Sequence, residues 1–237
     1  MNRRAFVKAA AITLIAGGLP LPALPQAGSR KMKIGIVGSG QVGGTLGGVW
    51  VRAGHEVMFS SLDLEHDKAL AAKLGGKARA GTSKEAAAFG DVILLAVPYS
   101  AVPAVGKDVG GLIKGKVVID TCNPFVGRDG EIATWAREKG AGLASAELLP
   151  GARLVRAFNA IGASQMGEAH KEPGRVGMPL ASDDAGAIAV ASTLVREIGY
   201  EPVPIGGLAM GKHLMPGTAL SGEHSPAEIR RIAATLK

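Results

Sequence analysis

Cysteine is almost missing. The 237 residues contain one, Cys122, which rules out an intramolecular disulfide framework. An oxidising compartment remains open to the chain, because such compartments permit disulfides without requiring them. Aromatic residues are scarce at 4%, whereas glycines number 35. The chain is thus built to bring backbone close to backbone or to a ligand. The formal charge of +7 comes without a Lys/Arg run or interleaved aromatics, so a concentrated basic face for nucleic acid is not expected. The five histidines, at 55, 66, 170, 213 and 224, lack metal-ligand spacing, and no metal site is expected. A membrane span needs about 20 apolar residues. The run from Ala9 to Pro25 is shorter and is broken by Gly17, Gly18, Pro20 and Pro22.

The first 27 residues also lack any acid. Arg3, Arg4, Phe6 and Lys8 run into an apolar middle and a small-residue end, which resembles a twin-arginine export address. Removing the leader's three cations takes the formal charge from +7 to +4. The expectation is a signal peptide over 1–27, passage through the twin-arginine translocase and a periplasmic protein. Cytoplasmic retention and a membrane anchor stand as alternatives.

From Lys33 onward, strand-like and helix-like segments alternate. Strands are expected at 33–37, 56–60, 77–80, 91–97, 116–121, 154–158, 175–181 and 201–205. Helices are expected over 41–53, 65–74, 84–89, 100–113 and 183–198. Ser225-Pro226-Ala227-Glu228 is a capping box with proline at the first helical position, so a last helix starts there. Such alternation implies right-handed crossovers and an α/β, Rossmann-type doubly wound, mostly parallel sheet. The division expected is a nucleotide-binding domain over 32–220 and a small C-terminal helical appendage over 221–237.

Gly38-Ser39-Gly40-Gln41-Val42-Gly43 follows the first strand and opens the first helix. In that position the first glycine permits a tight turn and the second lets a pyrophosphate approach the backbone. The third lets helix and strand pack closely. Amides at the helix start then face the anion. The second strand ends Phe59-Ser60-Ser61-Leu62 with no carboxylate. A carboxylate there would repel a 2′-phosphate, whereas hydroxyls donate to one, so NADP is preferred and NAD stays open. Ala96-Val97-Pro98 and Thr121-Cys122-Asn123-Pro124 follow two further strands, at the edge where open parallel sheets bind ligands. Asn123 is a candidate partner for the nicotinamide carboxamide or ribose, and Cys122 is read as a small apolar filler.

In this order, these residues resemble the F420-dependent NADP oxidoreductases, a family related to the cytosolic domain of STEAP-type ferric reductases. The resemblance also includes Gly54-His55-Glu56, Tyr99, Asp120 and Pro150 to Asn159, with Asp183-Asp184 and Ile198 to Val203. It implies that NADPH lies over the glycine loop, Ser60 and Ser61, the Val-Pro and Asn-Pro turns and Ala157. A deazaflavin such as F420, or a flavin, would stack on the nicotinamide and exchange a hydride with it directly. No acid or base is needed for that step, and no catalytic residue is named. The family's usual arginine after the serine is here Leu62, and its Leu-Glu-Pro is here Leu214-Met215-Pro216. Open alternatives are a nucleotide-binding or sensing module without turnover, ferric-reductase-like electron transfer, and assembly as a homodimer. A pyrroline-5-carboxylate-type reductase is set aside, since too few residues follow the sheet to form that family's helical domain.

Overall fold

The computed structural model describes residues 30–236. The leader expected over 1–27 lies outside the described residues. Strands β1 (Lys33–Val37), β2 (Glu56–Ser60), β3 (Ala78–Ala80), β4 (Val92–Leu95), β5 (Val117–Asp120), β6 (Arg153–Arg156), β7 (Gly177–Ala181) and β8 (Glu201–Gly206) form one sheet. Their spatial order is β3-β2-β1-β4-β5-β6-β7-β8. Chain order reverses between β1 and β4, which leaves a crevice beyond the carboxyl ends of those two strands.

Register decides what meets at that crevice. Val37 lies opposite both Ser60 and Leu95, Leu95 opposite Asp120, and Asp120 opposite Arg156. The five loops that leave these ends are therefore neighbours, although more than a hundred positions separate the first from the last.

β4 and β5 are wholly buried, and all but the last residue of β5, Asp120, are apolar, as expected of strands covered on both faces. One cover is α1 (Gln41–Ala53) with α8 (Ala185–Ile198); another includes α3 (Ser83–Phe89) and α4 (Val102–Ile113). Trp50 anchors the first, its indole N–H donating to Leu194 O at 3.0 Å. Helix α2 (Leu64–Leu74) lies in the crossover from β2 to β3.

The mostly parallel sheet expected from the alternation is present, with β7 as its exception. It pairs antiparallel with β6, because the chain from 157 to 176 holds a single 3₁₀ turn and supplies no crossover helix. Three helices fall between 124 and 150, where none was expected: α5 (Val126–Asp129), α6 (Glu131–Lys139) and α7 (Ala141–Leu148). The last helix, α9 (Pro226–Ala233), carries the expected capping box between Ser225 and Glu228. The expected C-terminal helical part is thus present; it packs Ile229 under β7, and the amide of Gly177 donates to His224 O at 2.8 Å.

Candidate functional site

The glycine loop is held by its backbone. Amides of Gly38 and Ser39 donate to Ser60 O at 2.9 and 3.0 Å, pinning the loop to the end of β2. Gly38 has φ +102°, and a Cβ there would lie 2.3 Å from Ala96 O. A Cβ on Gly43 would lie 2.0 Å from Gly38 O, so the helix sits directly on the loop. Gly40 differs: a Cβ there meets nothing within 4 Å. Its open side faces the crevice, and as N-cap it provides no side-chain hydrogen bond to the first turn of α1. No acidic residue stands in that turn either. Uncapped amides beside open space, with no carboxylate in the turn itself, suit a pyrophosphate.

Two cavities flank this turn. One, of about 460 Å³, runs along Gly38, Gly40, Ser61 and Leu62 to Val97, Pro98 and Val105. Beyond the loop its walls are mainly apolar, as an adenine needs, with Ser61, Asp63, Ser83 and Ser100 among them. The other, of about 450 Å³, is lined by Gln41, Val42, Thr121, Asn123, Phe125 and Phe158, among others. Ala96, Val97 and Pro98 border both, so one crevice of two lobes bends around the turn after β4. Among the described residues, Arg128 is the only charged side chain lining the second lobe.

The structure brings Gly38, Gly40, Gln41, Val42, Ser61, Ala96, Val97, Pro98 and Asn123 to the crevice walls. It turns others inward. Ser39 and Ser60 are buried, and the Ser60 hydroxyl donates to Ile36 O at 2.7 Å. Gly43 is buried beneath the loop, and Pro124 is buried behind it with its carbonyl facing Arg137. Ala157 is packed in the core; its neighbour Phe158 reaches the cavity in its place. The Asn123 amide is drawn inward as well. Its Nδ2 donates to Asn159 O at 2.8 Å, and its Oδ1 accepts from Arg156 at 3.4 Å.

Beneath the second lobe lies a buried ion pair. Arg156 Nη1 donates to Asp120 Oδ2 at 2.6 Å and to Cys122 O at 3.1 Å, with both charged side chains out of solvent. Asp120 Oδ1 accepts the Cys122 amide at 2.8 Å, which sets the turn after β5. Burial and the neighbouring Asp120 push the Cys122 thiol well up, so it stays protonated and acts as the apolar filler expected. Burial likewise pushes the Tyr99 phenol up to about 12, and its hydroxyl pairs with Ser145 at 3.2 Å.

Sequence reasoning missed two residues here. Asp129 takes the amide of Ser100 at 3.2 Å and that of Phe125 at 3.0 Å, joining the turn after β4 to the turn after β5. Burial works to raise this carboxyl. Hydrogen bonds from Arg128, Phe125 and Ser100 outweigh that and hold it down at about 2. Phe158 is the one described non-glycine residue with positive φ, +67°. Its ring meets Trp50 and Tyr200 edge-on, each at 6.4 Å between centroids, and this packing holds the unusual backbone. The sequence places Phe158 at the end of a strand expected over 154–158, whereas β6 stops at Arg156, and nothing local marks the ring as a cavity wall.

Comparison with known proteins adds to this geometry. Residues 33–124 match the family model described as NADP oxidoreductase, coenzyme F420-dependent. The F420-dependent NADP reductase of Methanothermobacter thermautotrophicus is 32% identical over 193 residues, covering 75% of this chain and 82% of that protein. Among solved structures, a hypothetical protein from Sinorhizobium meliloti aligns with TM-score 0.65 at 24% identity, over 81% of this chain and 94% of that one. A pyrroline-5-carboxylate reductase from Coxiella burnetii aligns with TM-score 0.55 at 14% identity, over 74% of this chain but 59% of that one. At these identities the two structures show a shared fold.

Proposed function

This chain belongs to the coenzyme F420-dependent NADP oxidoreductase family, and from that premise we infer that it passes a hydride between NADP(H) and a deazaflavin or flavin-like acceptor. The observation that carries this reading is the two-lobed crevice bent around the turn after β4, in which the open side of Gly40 leaves room for a pyrophosphate on the wall of a mainly apolar adenosine lobe, with a second lobe of similar volume beyond the bend. When bound, the reduced nicotinamide supplies the hydride and the acceptor ring takes it.

The chain's own residues bind and align. First-turn amides of α1 face the diphosphate. Val97 and Pro98, common to both lobes, shape the bend that sets the nicotinamide into the second. Phe125, 41% exposed at the mouth with Arg128 stacked 5.0 Å from its ring, offers a flat surface to a planar, anionic acceptor. Among the described residues, the second lobe has no carboxylate, histidine or cysteine on its wall. Catalysis through proximity and exclusion of water fits such a lining better than catalysis by proton transfer.

The test mixes purified protein with NADPH and, in separate samples, F420, a flavin and a ferric chelate, and follows NADPH absorbance. Oxidation with F420 supports the reading. Nucleotide binding without turnover on any acceptor contradicts it and leaves the binding module.

Export remains part of the proposal, supported by Arg3, Arg4, Phe6 and Lys8 ahead of an apolar stretch. The twin-arginine route carries folded proteins, so nucleotide loaded in the cytosol would travel with the chain. Nucleotide-free protein in a fresh periplasmic fraction would contradict that.

A further inference from the structure

We propose that Lys84 is the cation that selects NADPH over NADH, and that it reaches the 2′-phosphate by giving up its partner Asp108. The inference rests on the functional reading above and concerns which nucleotide the adenosine lobe prefers.

A 2′-phosphate carries up to two negative charges and asks for donors or a cation. The side chains at the end of β2 supply neither. Ser60 spends its hydroxyl proton on Ile36 O. Ser61 has one proton as well, and its acceptors lie within the chain: Asp67 Oδ2 at 2.9 Å, or Asp63 O at 3.1 Å. Toward a ligand it presents lone pairs, which suit a ribose hydroxyl rather than a phosphate. Leu62 stands fully exposed and offers nothing polar.

Past Ser61 and Leu62 the adenosine lobe continues into another hollow, of about 430 Å³, which shares Ser61, Leu62 and Ser83 with it. Lys84 lines this hollow and, among the described residues, is the only cation on the walls of either. Its ammonium lies 2.9 Å from Asp108 Oδ1, with the two side chains 62% and 47% exposed. An ion pair that open is weak, so exchanging a carboxylate for a phosphate costs little. Lys84 lies three residues beyond Gly81, the first residue after the strand beside β2, so its four-carbon stem starts next to the Ser61 wall.

Two consequences follow. Removing the ammonium takes away the advantage of NADPH and leaves NADH as it was. Removing the Asp108 charge frees Lys84 and strengthens NADPH alone.

Dissociation constants for NADPH and NADH, measured by calorimetric titration on the full chain and on K84M, K84R and D108N, test this. The expected result is an affinity for NADPH about five- to tenfold weaker in K84M, with NADH unchanged within about twofold. K84R restores most of the loss, and D108N tightens NADPH without moving NADH. NADH binding by each variant reports that it is folded. K84M that leaves the ratio of the two constants unchanged, in a wild type that binds both nucleotides, overturns this inference alone. A wild type that binds neither overturns the functional reading and this inference together.

Discussion

The Asp67 carboxylate ties Ser39 of the glycine loop to Ser61 at the end of β2, accepting a hydrogen bond from each while fully buried. One side chain in the first turn of α2 thus fixes two walls of the adenosine lobe. Removing it frees both hydroxyls and loosens the loop that should bind diphosphate. In Asp67→Ala, NADPH and NADH should weaken together, by about tenfold, because the diphosphate is common to both. Parallel titrations check this. A change confined to NADPH would show that Asp67 acts on the ribose phosphate instead.

Gly40 and Gly43 should fail in opposite ways. A methyl at Gly40 enters open space, so Gly40→Ala should keep its melting temperature and lose nucleotide affinity by more than about tenfold, or about 1.4 kcal/mol. A methyl at Gly43 would lie 2.0 Å from Gly38 O, so Gly43→Ala should lose about 1–3 kcal/mol of stability. Thermal unfolding with and without NADPH separates the two. If Gly40→Ala binds as the wild type does, the diphosphate lies elsewhere.

Asp129 makes stability at the crevice mouth depend on acid. Its carboxyl is held at about 2 in the folded protein against an ordinary value of 3.8. A depressed carboxyl stabilises the fold above its unfolded value and ceases to do so as pH falls through its folded one. That contribution is therefore complete above about pH 4 and fades between there and about pH 2. Asp129→Asn should flatten the loss of stability in this window. It should also raise KM for the acceptor more than it lowers kcat, since the turns at Ser100 and Phe125 lose their link. Acid unfolding curves and steady-state kinetics on the variant check both parts.

Arg156 and Asp120 form a buried pair under the second lobe, and cutting it from one side strands a charge. Arg156→Met should destabilise by about 3–5 kcal/mol. It should also shift the turn at Cys122 and Asn123, whose oxygen atoms Arg156 holds. Denaturant unfolding measures the first effect. A stability loss below about 1 kcal/mol would mean that the pair is hydrated or the site relaxes around it.

The glycine loop, α1 and the first two strands were legible because local rules converge there. The apolar period changes from strand-like to helical at the glycines, and Gly54 stops the helix in a left-handed turn with φ +101°. The helices from 126 to 148 were not legible. They are short and interrupted by Gly130 and Gly140, and α7 buries Ala141, Gly142, Ala144 and Ser145 rather than a stripe of large apolar groups. Periodicity has little to report from such residues. Asp129 was missed for another reason. Its partners come from the turns after β4 and β5, and only the strand register brings those together. Ser60, which closes β2, and Ser61, which follows it, were legible as residues, but not that Ile36 O and Asp67 take their protons through contacts 24 and 6 positions away.

The most direct test follows the hydride itself. NADPH deuterated at the transferable position of its nicotinamide is mixed with this protein and oxidised F420, and the reduced deazaflavin is examined by mass spectrometry. Direct ring-to-ring transfer across the second lobe predicts one deuterium in the product, undiluted by solvent hydrogen. Reduced product free of deuterium, or NADPH bound and never oxidised, would contradict it.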